Sequence, residues 1–166
     1  MDRREQKGMT TKIQGNLRDL SWSAIGATMA IALALWFVAD RHSPFLLASL
    51  GGSTVFLFAL TGAEATQPRA LFGGHLGGAL IGILCVRIFG DAHWVAVIAV
   101  VLTMVFMIVT RTIHPPAGAN PLFMVHHHAN FGALVKPVGL GVVTLFLVAI
   151  LWSRLRPGRP YPVKWW

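Results

Sequence analysis

The densest run of residues able to do chemistry is Thr110-Arg111-Thr112-Ile113-His114-Pro115-Pro116-Ala117-Gly118-Ala119-Asn120-Pro121. Proline suits the first turn of a helix, where its missing N–H has no intrahelical partner. The residue before a proline avoids the helical region. The chain is therefore expected to be extended through His114 and Pro115, with a short helix starting near Pro116. Such a start offers N–H groups and the positive end of a dipole, which together favour an anion. Gly118 would let a ligand or another backbone come close, and Asn120 is grouped with it as a binding candidate. A second start lies at His42-Ser43-Pro44, with Ser43 as its N-cap. Arg111, His114, His75 and Arg69 could add charge or hydrogen bonds to a pocket where the two starts meet. The plain alternative for Arg111 is snorkelling at a helix end, and for His114 a cap on the preceding turn. His75 stands among glycines in an apolar stretch, where an ionisable group is functional by default.

Other candidates are weaker. His126-His127-His128 could bind metal, but adjacent histidines do not easily share one ion on a regular helix, and a solvated connection explains them better. Glu64 and Arg69, in one connection, could pair or guard an entrance. There is no nucleophile elbow, phosphate loop, His-Glu-x-x-His helix or carboxylate dyad. The acidic residues Asp2, Glu5, Asp19, Asp40, Glu64 and Asp91 all lie outside the apolar centres. No catalytic residue, metal site or cofactor is expected, and an enzyme is disfavoured.

The elements that must carry these residues follow from composition. The 166-residue chain is 55% hydrophobic and 12% charged, about half the usual charge of a soluble domain. Its partner is expected to be the lipid bilayer. The net charge of +8 would suggest nucleic acid in a soluble protein, but the basic residues cluster at the two ends, as the positive-inside rule produces. We expect a basic cytoplasmic segment at 1–19, a membrane domain at 20–153 and a basic aromatic tail at 154–166. Both termini would be cytoplasmic, in a bacterial-type inner or plasma membrane. The first apolar run is longer than a signal-peptide core and reads as an uncleaved span. Cys85 alone excludes an intrachain disulfide.

Six charge-free blocks, 20–39, 42–63, 70–86, 92–110, 112–135 and 137–153, follow one another. A span needs roughly 20 residues. Blocks one, three, four and six qualify; in two and five the apolar helix is short. The expected fold is an all-α integral membrane protein with four full transmembrane helices and two short or re-entrant ones. An offset of 72 residues pairs Trp22 with Trp94, His42 with His114 and Pro44 with Pro116. The order long helix, His-x-Pro, short helix, long helix thus occurs twice, consistent with two structural repeats. Short helices that return give four crossings and parallel repeats; short helices that cross give six and inverted repeats. Four full spans are favoured. Gly73, Gly74, Gly77, Gly78 and Gly82 have small-xxx-small spacing, with Gly51-Gly52-Ser53 as a facing groove. These faces suggest a homo-oligomer. Trp22, Trp94, Trp152, Tyr161, Trp165 and Trp166 are placed as interfacial anchors.

Together, Gln67-Pro68-Arg69, Gly73-Gly74-His75, Thr110-Arg111-Thr112 and His114-Pro115-Pro116-Ala117-Gly118-Ala119 resemble the HPP family of small integral membrane proteins. The tail Pro157-Gly158-Arg159-Pro160-Tyr161-Pro162 with Trp165-Trp166 is similar as well. The resemblance implies a four-span transport domain, some plant plastid and cyanobacterial members being associated with nitrite. The family often has Gly-Gly-Ala-Thr after the prolines, where this chain has Ala117-Gly118-Ala119-Asn120. The leading expectation is a transporter or channel for a small anion, nitrite being the best single candidate. The alternative is a non-transporting membrane sensor that binds a metal or small ligand.

Overall fold

The computed structural model describes the backbone of residues 3–38, 44–155 and 160–165, and the side chains of 17–38, 48–155 and 160–165. His42 and Ser43 lie outside the described residues. Among the described residues six α-helices follow in order: α1 (Arg3–Val38), α2 (Pro44–Ala59), α3 (Pro68–Phe89), α4 (His93–Thr110), α5 (Ala119–His126) and α6 (Leu140–Arg154). Two 3-10 turns, Glu64–Thr66 and Pro115–Gly118, precede α3 and α5. Among the described residues there is no β-strand.

Leu17–Val38, Pro68–Phe89, His93–Thr110 and Leu134–Arg154 are each long and apolar enough to cross a membrane. Their outer faces are aliphatic. On α4, Val97, Val101, Leu102, Val105 and Val109 are all exposed, an arrangement stable only against lipid. The helix boundaries follow local chemistry. Pro68 occupies the first turn of α3, and Gly90, at φ 82°, ends it. α4 ends on a left-handed residue too, but that residue is Arg111.

The expected four long spans and two short helices are present, and both short helices run from one end of the bundle to the other. α2 has Leu50 against Val38 and Gly141, and Phe58 against Gly26 and Trp152, so it runs antiparallel to α1 and parallel to α6. The chain after α4 descends beside α3. Thr112 lies on Gly73, His114 on Gly74, Ala117 on Gly78, and Pro121 with Met124 on Gly82. At the far end His128 pairs with Asp91, in the connection between α3 and α4. The six crossings therefore alternate in direction.

An eight-residue α5 crosses because it is only part of the path. About 10 Å comes from the three residues 112–114, about 8 Å from the 3-10 turn and about 12 Å from the helix, which together match the roughly 30 Å of hydrocarbon. Counting every residue at helical rise makes the segment look too short. The two halves are thus inverted. α3 packs on α4 as α6 packs on α1, α5 packs on α4 as α2 does on α1, and α2 meets α5 between them.

Some expected contacts are replaced by others. A Cβ on Gly74, Gly78 or Gly82 would run into the chain from His114 to Met124, and one on Gly77 into Phe106. These glycines are engaged within one chain and so give no argument for self-association. Gly52 faces Pro116, not α3. Tyr161 is no interfacial anchor: it is buried, and its hydroxyl donates to Thr66 O at 2.7 Å. Burial pushes its phenol pKa up. Trp22 and Trp152 stack on each other with centroids 4.3 Å apart.

Candidate functional site

Where α2, α3 and the chain entering α5 meet, the interior becomes polar. Ser49, Ser53, His75, His114 and Asn120 are each about 1% exposed or less. The elements place them for simple reasons. Ser49 and Ser53 are one turn apart on α2, so both face inward. His75 is on the glycine face of α3, where missing side chains leave room for the chain from Thr112 to Met124. Pro115 holds His114 extended, at φ −134° and ψ 94°, so the ring points into the bundle.

The hydrogen bonds connect all five. Ser53 Oγ lies 2.8 Å from His75 Nε2, 2.8 Å from His114 Nε2 and 2.9 Å from Ser49 O. His114 Nδ1 is 2.6 Å from Ala65 O. Asn120 Nδ2 is 3.0 Å from both His75 Nδ1 and His75 O. Ser49 Oγ donates to Pro116 O at 3.0 Å. Phe56 closes one side, edge-on to His114 with centroids 5.9 Å apart. Among the described residues, two buried side-chain polar atoms have no hydrogen-bond partner, Asn120 Oδ1 and Thr103 Oγ1. Thr103 sits against Gly78, one turn of α3 beyond His75.

Ala65, at one end of this network, also lines the surface. A hollow of about 370 Å³ is bounded by Glu64, Ala65, Ala70, Ile108, Arg111 and Ile113. It adjoins another of about 440 Å³ that adds Gln67, Arg69, Lys164 and Trp165. Three basic side chains and one acidic one thus line a vestibule at the mouth of the buried cluster. Glu64 pairs with Lys164, not with Arg69 as one expectation had it. That ammonium holds the Glu64 carboxyl below its usual range. Arg69 Nη2 donates to Thr110 O at 2.6 Å, satisfying a carbonyl at the end of α4.

Arg111 stands out in its backbone. At φ 56° and ψ 41° it takes the left-handed position that usually goes to glycine. Arg111 N donates to Ile108 O and Thr112 N to Met107 O, closing α4 in a Schellman turn. A residue with a Cβ is strained there, and such strain concentrates at functional sites.

Of the residues picked out from sequence, His75, His114, Asn120 and the Pro116 carbonyl come together, and Arg69 and Arg111 line the vestibule outside them. Gly118 borders open space, with nothing near the position of a Cβ. The two short-helix starts do not meet. The start of α5 faces the middle of α2, and Pro44 is nine residues before Ser53, roughly 13 Å at helical rise. Nor does the α5 start present a fan of free donors: its prolines have no N–H, and Ala117 N already donates to His114 O at 3.0 Å. Ser49, Ser53, the Ala65 carbonyl, Gln67 and Lys164 were not anticipated as site residues. The Ser-x-x-x-Ser spacing in an otherwise apolar helix was the available signal.

The histidine triplet splits up. His127 lies against Phe123, the rings tilted with centroids 4.4 Å apart, and His128 Nε2 lies 2.9 Å from Asp91. Among the described residues no three His, Cys, Asp or Glu converge as a metal site.

Alternating apolar crossings around a buried polar centre define a polytopic integral membrane protein. Residues 12–162 match the family described as HPP, transmembrane region, and the chain belongs to that family. It is 30% identical over 171 residues to a transmembrane protein of Dictyostelium discoideum, covering 96% of this chain and 55% of the relative. A second Dictyostelium discoideum transmembrane protein is 27% identical over 163 residues, covering 91% of this chain and 57% of the relative. The chain thus spans little more than half the length of these relatives. No solved structure matches it.

Proposed function

We propose that this protein moves a small anion across the membrane, with nitrite as the best single candidate. The observation that carries the reading is the buried His–Ser–His centre, which opens through Ala65 onto a vestibule lined by Arg69, Arg111 and Lys164. Basic groups at the mouth raise the local anion concentration. Inside, hydroxyl and imidazole N–H groups can replace water around a small anion without a fixed opposite charge to trap it. Inverted halves meeting at a polar centre are a recurrent transporter architecture, which supports movement of a solute over simple binding. Nitrite is the part supplied by the family resemblance. By the positive-inside rule both termini face the cytoplasm of an inner or plasma membrane. The sensor reading loses ground because His127 and His128 are engaged by Phe123 and Asp91.

Purified protein in liposomes, given an inward nitrite gradient, tests this. Uptake should exceed that of protein-free vesicles and fall sharply in an Arg111→Ala, His75→Ala double variant. Equal uptake by the double variant would overturn the site, and no uptake by wild type would overturn the activity.

A further inference from the structure

The buried network has a direction, and its fixed ends determine it. A carbonyl only accepts, so the 2.6 Å contact to Ala65 O places a hydrogen on His114 Nδ1. In a neutral imidazole Nε2 is then bare. Ser53 Oγ, at 2.8 Å, must donate to it. Its single proton now committed, Ser53 must accept from His75 Nε2, also at 2.8 Å. That leaves His75 Nδ1 bare, and Asn120 Nδ2 stands 3.0 Å away to donate. The same amide nitrogen faces His75 O at 3.0 Å, which fixes the Asn120 rotamer against the alternative. Every donor finds an acceptor, and all hydrogens point from Asn120 toward the vestibule.

Ser53 has one further acceptor, Ser49 O at 2.9 Å. Swinging its hydroxyl from His114 Nε2 to Ser49 O frees that nitrogen for one added proton. His114 then donates from Nδ1 to Ala65 O and from Nε2 to Ser53 Oγ, while His75 Nε2 still donates to Ser53. No donor is left without a partner in either state. Among the described residues no carboxylate, lysine or arginine contacts either ring. The groups that face them are Ser49, Ser53 and Phe56 from α2, Ala65 from the connection, and Asn120 from α5. A lone imidazolium there would be costly, and a small anion beside it removes most of that cost.

We infer that the anion is carried together with one proton, which is held on His114 and switched by the Ser53 hydroxyl. The step balances simply. The added proton arrives with the anion and binds Nε2 of His114 as Ser53 turns to Ser49 O, because Nδ1, on the Ala65 edge, already carries its hydrogen. The loaded site carries one positive charge against the anion's one negative charge. On release the proton leaves with the anion, and Ser53 turns back to His114. Asn120 Oδ1 and Thr103 Oγ1, buried without partners beyond His75, mark where the path can take up water on the other side. This inference rests on the anion-transport reading and adds the coupling ion.

The test uses the full chain in liposomes with a pH-sensitive dye inside, sodium nitrite outside and the membrane voltage clamped by valinomycin and potassium. Nitrous acid crosses lipid, so rates from protein-free vesicles are subtracted. Wild type should acidify the lumen by one proton per nitrite taken up. Ser53→Ala should lower proton flux by about tenfold or more, and Ser53→Thr, which keeps the hydroxyl, should restore it. Nitrite uptake without acidification, or unchanged proton flux in Ser53→Ala, would overturn the coupling and leave the anion reading intact. Dye acidification after a pH step with nitrite absent, Ser53-dependent but with no nitrite uptake, would uphold the relay and remove the anion reading. Loss of both would remove both. Nitrogen-15 spectra of the wild-type histidines give a check that needs no variant. His75 should carry its hydrogen on Nε2 and His114 on Nδ1, and the opposite tautomers would overturn the proposal.

Discussion

Replacing Arg111 by glycine and by alanine separates its charge from its backbone. Its φ of 56° and ψ of 41° cost a residue with a Cβ about 1–2 kcal/mol relative to glycine. Glycine gives back about 0.4–1 kcal/mol through the greater freedom of the unfolded chain. Both variants lose the same guanidinium, including any favourable interaction with the C-terminal end of the α4 dipole. What remains is the strain, so Arg111→Gly should be more stable than Arg111→Ala by about 0.5–1 kcal/mol. For a chain of this length that is a Tm difference of roughly 1–4 °C, measurable by thermal unfolding in detergent. Transport should order differently. The vestibule loses one of three cations in either case, and anion capture should fall by about five- to tenfold in both, consistent with about 1 kcal/mol of screened attraction. The expected pattern is therefore glycine above alanine in stability, and the two equal but below wild type in nitrite uptake. Equal Tm values would refute the backbone argument. Wild-type uptake in both variants would refute the role of the charge.

Gln67 donates from Nε2 to Thr61 O and Ala63 O and accepts at Oε1 from Val163 N and Lys164 N, so it joins the connection to the tail. Gln67→Glu puts an acceptor against two carbonyls and should cost about 2–4 kcal/mol; a Tm drop under a few degrees would count against that orientation. Tyr161→Phe keeps the buried ring and removes the bond to Thr66 O, with an expected loss of about 1–2 kcal/mol, and unchanged thermal stability would show the hydroxyl is not a tether. At Gly82 a Cβ would fall 2.7 Å from Pro121 Cα, so Gly82→Val should prevent α5 from seating and abolish monodisperse protein on size exclusion, whereas Gly51→Val, with open space, should be tolerated. The exposed Glu64–Lys164 pair should hold the tail above the usual carboxylate pKa and release it as pH falls through the lowered Glu64 value. Limited proteolysis of the tail across acidic pH reads this, and Lys164→Met should remove the pH dependence.

The long spans could be read from the sequence because hydrocarbon demands one thing of them, about 20 apolar residues, and α1, α3, α4 and α6 each supply it. The path of residues 111–128 could not be read so simply. Its length depends on how many residues are extended, and that is set by Pro115 and by the glycine face of α3 together. The repeat was visible in Pro44 and Pro116, but its inversion was not, because an offset in sequence carries no direction.

The site divides along a similar line. His75, His114 and Asn120 could be found because a polar group in an apolar block is conspicuous. Ser49 and Ser53 are less conspicuous, since serine in a helix ordinarily bonds its own i−4 carbonyl, and Ser53 Oγ does lie 2.9 Å from Ser49 O. What distinguishes Ser53 is that two imidazoles from other elements arrive within 2.8 Å of the same oxygen. Those rings come from α3 and from the entry to α5, one from each half of the molecule, while Ser53 belongs to the same half as His75. A shift of one half against the other must therefore break the Ser53–His114 contact before the Ser53–His75 contact. If the halves do move during transport, the proton stays on His114 as the Ser53 bond opens. The bond His114 Nδ1 donates to Ala65 O crosses the same boundary and would open with it.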